Sequence, residues 1–571
     1  MANQLIHFGK LSLLYEDGFV RYIRAGELEI LRKIYFALRD SSWVTAEIVR
    51  TDERVSVTWK GFEISYTATN VVDGNEVFRW HVKITGNDKE EIEFSVDGEA
   101  LTMYNRNRAG ICVLHPIRET KDKLAKVTRP DGSVYEKKFP SLIDPHQPFL
   151  DIQRMSWQLN DTARAELEFE GDIFETEDQR NWSDTSFKTY STPLTVPYPV
   201  MLKPGDKVSQ RVKMRLLNSG NLQTSDLGED IEVTIHEKDS MPFPKIGTDF
   251  PGIIASQKDI ELLKALQFEH LRIELVLPSP TWRVKLSNGI EEAVAIGAKV
   301  FVHLVIGKSE DWNEFAGQLQ PEHLKVISEL AISPVDRKAN IDQLLQKVIP
   351  EARKLFPKIP IGAGFTSYFT ELNRNRFDYN NIDFLVYPIT PQAHANDSLT
   401  IVENLPAQED AVESANVFAP GKKIHSGPVS LKPRYNPDAK SGSMEVSDSR
   451  FDQRQQTALA AGWALGSIKY LSEGGANSIT LFESHGLAGY FLNDELFPVY
   501  NAFLTLQQIK PLRVIRSSCN EPLIVTSLVL EDEQGKRHLV LINHTNSKKF
   551  VSVNETLYTL GDMEIQFISM K

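Results

Sequence analysis

Residues 271–306, "LRIELVLPSPTWRVKLSNGIEEAVAIGAKVFVHLVI", hold two short apolar runs, Leu271–Leu277 and Val300–Ile306, with a helical stretch between them. A strand, a helix and a second strand in that order make a βαβ unit, the building block of parallel sheets. The same rhythm begins at Lys245 with "KIGTDF" and continues with "LKVISELAI" from Leu324 and "PIGAGFT" from Pro360. "FLVYP" from Phe384, "KIHSG" from Lys423 and "SITLFES" from Ser478 complete eight strand candidates. Eight units over roughly 250 residues match a (β/α)8 TIM barrel. A doubly wound open sheet is the alternative, but it rarely needs eight units, and no glycine fingerprint follows the first strand. Ser256 is placed to cap the helix beginning "QKDIELLKA", with Asp259 completing a capping box. Gly466, in a helix with Leu459, Trp463 and Tyr470 on one face, leaves room for close packing.

On either side of the barrel the pattern changes. From the start to residue 240, segments such as "RVSVTWKGFEISYTATNVV" and "AELEFEG" alternate polar and apolar residues. Turn signals at Glu16–Gly18, Val72–Gly74 and Pro130–Gly132 punctuate them. Half-buried antiparallel strands read this way, and many of them indicate a β-sandwich. Alternation returns after residue 510 in a stretch too short for a large core of its own. The expected organisation is therefore an N-terminal β-sandwich over 1–240, a central TIM barrel over 241–510 and a small C-terminal antiparallel β-domain over 511–571.

The protein has 571 residues and a formal net charge of −13, which argues against nucleic-acid or anionic-membrane partners. Its only cysteines, Cys112 and Cys519, provide no disulfide framework. The N-terminal "MANQLIHFGKLSLLYEDG" has no cationic and apolar leader pattern, and no apolar run is long enough to span a bilayer. A cytoplasmic protein acting on a small metabolite is expected. Nothing in the sequence specifies its oligomeric state.

Catalysis in such barrels takes place at the carboxyl ends of the strands. Asp249 ends strand one, Arg272 and Glu274 alternate along strand two, and His303 lies in strand three. Glu371, Asn373 and Arg374 follow strand five, and His394, Asn396 and Asp397 follow strand six. His425 and Arg434 belong to strand seven and its exit, and Glu483 and His485 to the end of strand eight. Glu371 and Glu483 form a carboxylate pair that could divide acid and base duties, or could serve as structural ion-pair partners of Arg374 or Arg376. His303 suits a core histidine as well as a ligand-facing one. Arg272 and Glu274 suit inward charges paired to each other. Serine-elbow, Walker A, dinucleotide and H-E-x-x-H signatures are all missing, so no cofactor and no metal is expected. What remains is hydrolysis by carboxylates and imidazoles: of a glycoside, of a cyclic ester, or none at all in a carbohydrate-binding barrel.

One segment of the β-rich half stands apart. Residues 174–194, "FETEDQRNWSDTSFKTYSTPL", interleave aromatics with charges of both signs, which suits ordered packing with fixed polar groups better than free solvation. Together with "NRNRAGICVLHP", "FPSLIDPHQPF", "YFTELNRNR", "QAHANDSLTIVENLPA" and "KKIHSGPVSLKPRYNP", this segment resembles the D-apionate lactonase family over nearly the whole sequence. The resemblance implies an N-terminal β-domain, a glycosidase-like barrel and a small C-terminal β-domain. It also implies a lactonase that hydrolyses D-apionolactone to D-apionate in D-apiose catabolism, with a small sugar lactone as its partner. Thr176, the "ESHGLAGY" stretch and the single aspartate of "AHANDS" depart from the family pattern and bear on the exact lactone.

Position then suggests roles. Glu371 or Glu483 deprotonates the attacking water, and the other carboxyl group or His485 protonates the leaving alkoxide. His394, Asp397, Asn373 and His303 face the sugar, and Arg434 or Arg180 meets the product carboxylate. Asp178, Arg180, Asn181 and Lys188 are the residues of the 174–194 segment expected to touch substrate or brace the site, the alternative being a purely structural network.

Overall fold

The computed structural model describes residues 4–220, 222, 231–277, 279–336, 340–435 and 451–570. Asn436 and Pro437, at the end of the quoted "KPRYNP", lie outside them. The polypeptide forms two compact units. One is Met1–Gln179 with Thr185–Glu229, the other Arg180–Asp184 with Asp230–Lys571.

The first unit contains two nine-stranded sheets. Strand Gly61–Val72 buries alternate residues, as its alternating sequence predicts. Both sheets contribute to one apolar core, in which Phe36 of one meets Trp80 of the other with ring centroids 5.1 Å apart. Two hairpins turn at Asp17-Gly18 and Asp73-Gly74, where both residues of each pair have positive φ (50° and 85°, 50° and 77°). Tight hairpins require that conformation, and aspartate followed by glycine supplies it at least cost. The 174–194 segment forms a third hairpin. Strand Phe174–Asp178 pairs with Ser186–Tyr190, and its tip, residues 180–184, belongs to the second unit.

In the second unit eight parallel strands close into a barrel. They are β1 (Lys245–Asp249), β2 (His270–Val276), β3 (Lys299–Ile306), β4 (Ile327–Pro334), β5 (Ile361–Gly364), β6 (Phe384–Ile389), β7 (Lys423–Val429) and β8 (Ser478–Glu483). All eight expected strands are present, and β8 pairs with β1 to complete the ring. Ser256 and Asp259 form the expected capping box, with Asp259 N donating to Ser256 Oγ at 3.2 Å and Ser256 N to Asp259 Oδ2 at 3.3 Å. A Cβ on Gly466 would lie 2.8 Å from Leu405 Cδ1, so the expected close approach is real.

The terminal sheet differs from expectation. It has seven strands rather than those of 511–571 alone, because Ile231–Pro242 is inserted between Lys549–Val553 and Pro511–Cys519. The pairing with Lys549–Val553 is parallel, so the sheet is mixed and not purely antiparallel. Alternation marks residues 231–237 as a strand, but it carries no information about which partners, about 300 residues away, will take its backbone hydrogen bonds.

Candidate active site at the carboxyl ends of the barrel strands

The lower barrel is filled by large and small residues in alternation, as a closed eight-stranded barrel requires. His425 stacks on Phe384 at 4.0 Å, and Phe301 lies 5.9 Å from the His270 ring. Gly247 and Gly362 make the space: a Cβ on either would lie 2.3 Å from the neighbouring His270 or Phe384 ring. Burial, reinforced by Lys245, pushes His270 down to about 3. Burial also holds His425 and His303 well below the usual imidazole range.

These three rings remain neutral in the folded protein and take up protons once it unfolds. Their folded pKa values lie below the unfolded value, so their stabilisation is complete above about pH 6.5 and is lost as pH falls through the window beneath it. Each ring adds a slope of at most about 1.4 kcal/mol per pH unit. Thermal unfolding should therefore be nearly constant from about pH 7 to 8 and fall steeply between about pH 6.5 and 4.5. A Tm that stays flat to about pH 5 would contradict neutral burial.

Above this layer lies a network of buried charge. Arg272, fully buried on β2, donates from Nη1 to Asp249 Oδ1 at 2.6 Å, and from Nη2 to Glu274 Oε2 at 2.5 Å and His303 Nδ1 at 2.6 Å. Arginine is only a donor, so His303 Nδ1 accepts and its Nε2–H donates to Ser333 Oγ at 2.8 Å. Arg434 donates to the second oxygen of Asp249 at 2.6 Å and lies 3.5 Å from Glu274, while the Tyr435 hydroxyl donates to Glu274. Burial alone would raise the Glu274 pKa, but Arg434 and Arg272 outweigh it and hold the carboxyl well below its usual range. Burial likewise opposes the Arg434 charge, and Asp249 and Glu274 more than restore it. The expected pairing of Arg272 with Glu274 is thus present as part of a larger network. His303 is a buried member of it. Tyr435 and Ser333 had no sequence signal beyond their positions after β7 and at the end of β4.

Glu483 reaches the mouth through a backbone irregularity. Gly247 pairs with Thr480, but Asp249 pairs with Glu483, so β8 carries one residue more than β1 over this interval. Thr480 faces His270 across the barrel interior, bonded to its Nε2 at 2.8 Å. Strict alternation from Thr480 would turn residue 483 away from the interior. The extra residue instead sets Phe482, at φ 48°, against Trp463 of helix Ala458–Glu473 and re-aims Glu483, whose charge acts on Arg434. Glu483 is half-buried. Beside it, His485 Nε2 bonds Ile253 O at 3.1 Å and lies 3.5 Å from the buried Glu292. Burial disfavours the charged ring, but Glu292 outweighs it and raises the His485 pKa above its ordinary value.

The remaining candidates gather after β5 and β6. Glu371 is buried in the first turn of helix Phe369–Arg374, where Tyr368 N donates to its Oε2 at 2.7 Å. Asn373 donates to Asn181 Oδ1 at 2.9 Å and accepts from Arg376 Nη2 at 2.8 Å. Arg180 lies 3.3 Å from Asp410, and the Arg374 guanidinium lies over the Trp182 ring. His394 Nδ1 bonds Asp184 Oδ2, and Asn404 donates to Asp184 Oδ1 at 2.8 Å. Asp397 caps helix Ser398–Glu403, accepting from Thr400 N at 2.9 Å and Thr400 Oγ1 at 2.7 Å. Arg180, Asn181, Asn373 and His394 are thus brought together in one unit. Asp178 and Lys188 belong to the other, where Asp178 accepts from Asp144 N at 3.1 Å and Lys188 pairs with Glu177. Asp184, which is not among the residues expected from the sequence, is the residue that segment gives to His394.

Among the described residues no group of three or more His, Cys, Asp or Glu is placed to hold a metal ion. No described helix is long and apolar enough to cross a membrane.

Comparison with known proteins agrees with the residues. The model for the N-terminal domain of D-apionate lactonase matches residues 1–219, and that for its TIM barrel domain matches residues 246–511. A D-apionate lactonase of Brucella anthropi is 27% identical over 496 residues, which cover 83% of this protein and 81% of that one. Among solved structures, SrfJ from Salmonella typhimurium is 11% identical with a TM-score of 0.42, covering 67% of this protein and 98% of its own length. A GH51 arabinofuranosidase from Xanthomonas axonopodis pv. citri is 10% identical with a TM-score of 0.39, covering 60% and 95%. Scores of that size add nothing to the barrel already described. Matched in its N-terminal region and its barrel alike, the protein belongs to the D-apionate lactonase family.

Proposed function

We propose that this protein is a lactonase, a hydrolase acting on a carboxylic ester bond, that opens D-apionolactone to D-apionate in D-apiose catabolism. The observation that carries the reading is the match of both its N-terminal region and its barrel to one lactonase family. The two nine-stranded sheets form its N-terminal β-sandwich, and the seven-stranded sheet is a small terminal β-domain that borrows the strand leading into the barrel. The reaction takes place in the cytoplasm, a reducing compartment that suits two widely spaced thiols.

In the mechanism, Glu483 takes a proton from the water that attacks the lactone carbonyl. It is the half-buried member of the carboxylate pair, set out of strict alternation by the β8 bulge, and its charge acts on Arg434. Arg434, fixed by Asp249 and Glu274, stabilises the charge that develops on the carbonyl oxygen and then on the product carboxylate. Glu371 holds the turn after β5 through the Tyr368 N–H, and His303 braces Arg272 beneath the mouth. Arg180, Asn181 and Asn373 shape the wall after β5, and Asp397 anchors the helix after His394. Asp178 and Lys188 order their own hairpin.

The glycoside-hydrolase alternative needs a carboxylate pair flanking the scissile bond. The commonest barrel clan sets that pair after β4 and β7. Here the two glutamates of the candidate pair stand elsewhere, Glu371 after β5 and Glu483 at the end of β8. The disagreement favours the lactonase. Each ring opening near neutral pH releases one proton from the new acid. Adding D-apionolactone to the purified protein should therefore acidify a weakly buffered indicator solution in proportion to enzyme. A rate no greater than spontaneous hydrolysis would overturn the reading.

A further inference from the structure

Departure of a ring alkoxide requires a proton, and besides His485 with its Glu292 a second imidazole at the carboxyl ends of the strands is held by a buried carboxylate. We infer that the acid is His394, held in place by Asp184, a residue the β-rich part of the sequence contributes to the barrel unit. This inference rests on the lactonase reading above and assigns one of its steps.

Asp184 is 4% exposed and bridges two partners. Its Oδ2 bonds His394 Nδ1, and its Oδ1 accepts from Asn404 Nδ2 at 2.8 Å. Asn404 is itself anchored, donating also to Pro391 O at 2.9 Å. An ionised carboxylate can only accept, so the Nδ1 proton lies between the two groups and Nε2 is the nitrogen that exchanges protons with a substrate. The carboxylate also balances the charge when the ring carries both protons. Trp182, two residues before Asp184, sets its ring 6.0 Å from the imidazole at 84° and 5.4 Å from the Tyr368 ring. The imidazole is therefore oriented by a carboxylate and an aromatic edge. It sits in the loop after β6, at the end of the barrel where Glu371 and Glu483 also lie.

The step balances. Glu483 removes a proton as the water oxygen bonds the carbonyl carbon and the carbonyl π pair moves to oxygen. When the carbonyl re-forms, the bond from carbon to ring oxygen breaks and its electron pair stays on that oxygen. The ring oxygen takes the proton from His394 Nε2. The proton on Glu483 returns through solvent, and the new acid ionises.

Leaving-group dependence tests this directly. The sugar lactone expels an alkoxide that needs a proton, whereas an aryl ester of the same acid expels a phenolate that does not. In the full-length protein, His394→Gln should lower kcat on the lactone by about 100-fold or more while changing the aryl ester rate by less than about threefold. Asp184→Asn, nearly isosteric, should lower kcat on the lactone by about tenfold or more with KM within about threefold, and it should abolish the low-field proton NMR signal of the His394 Nδ1–H. Equal losses on both substrates, or an unimpaired lactone rate, would overturn the inference and leave the lactonase reading standing. A wild-type protein inert towards the lactone would remove both. Should His394→Gln fail to fold, the same substrate comparison with Asp184→Asn and the wild-type NMR signal decide the matter.

Discussion

Glu483→Gln should lower kcat on the lactone by about 10³-fold while leaving the fold intact, because it removes the base and preserves the side chain's shape. Removing one well-placed proton acceptor costs about 10²–10⁴ in rate, and Glu483 is the acceptor in the proposed mechanism. Its carboxylate is half-buried at the barrel mouth, in register with Asp249, and its charge acts on the Arg434 guanidinium. A glutamine there keeps the side chain's size, the bulge and the contact of Phe482 with Trp463, so circular dichroism and Tm should change little. Glu371→Gln is a useful contrast. Its amide oxygen can still accept from Tyr368 N, so a loss there would report the charge rather than the cap. A Glu483→Gln variant with a near-normal rate would remove this residue from the chemistry.

The largest effect on stability should follow from Arg272→Met. Arg272 is fully buried and donates to two buried carboxylates and to His303. Its loss leaves Asp249 and Glu274 facing one another, with Arg434 and the Tyr435 hydroxyl left to satisfy them. Removing one partner of a buried ion pair costs about 3–5 kcal/mol, because the remaining charge stays desolvated. Replacing both sides with apolar groups costs far less, so Arg272→Met combined with Glu274→Met should recover part of the loss. Denaturant unfolding followed by barrel tryptophan fluorescence would measure both variants. A single variant within about 1 kcal/mol of wild type would show that the network is solvated rather than buried.

Patterns that repeat locally are legible in the sequence. Eight apolar strands separated by helices carry the barrel, because strand burial and helix periodicity are written within a few residues of each other. The Ser256–Asp259 cap and the Asp-Gly hairpins are legible for the same reason. Long-range pairing is not. Residues 231–237 alternate like the strands before them, yet the hydrogen bonds of strand Ile231–Pro242 go to Lys549–Val553 and Pro511–Cys519.

The site shows the same division. Glu371, His394 and Glu483 could be placed after β5, after β6 and at β8 by counting. The single extra residue that turns Glu483 inward leaves no composition signal, and the approach of Asp184 to His394 spans 210 positions. Asp397 shows the reverse failure. An acidic residue in a promising loop is also the residue type that caps helices, and here it caps one.

On the proposed reading this barrel opens a sugar lactone and does not cleave a glycosidic bond. Proton NMR of D-apionolactone with the purified protein, run beside a set of aryl glycosides, tests it most directly. The expected result is enzyme-dependent disappearance of the lactone signals, appearance of the acyclic D-apionate, and no release of aglycone from any glycoside. Release of aglycone while the lactone signals persist would contradict it.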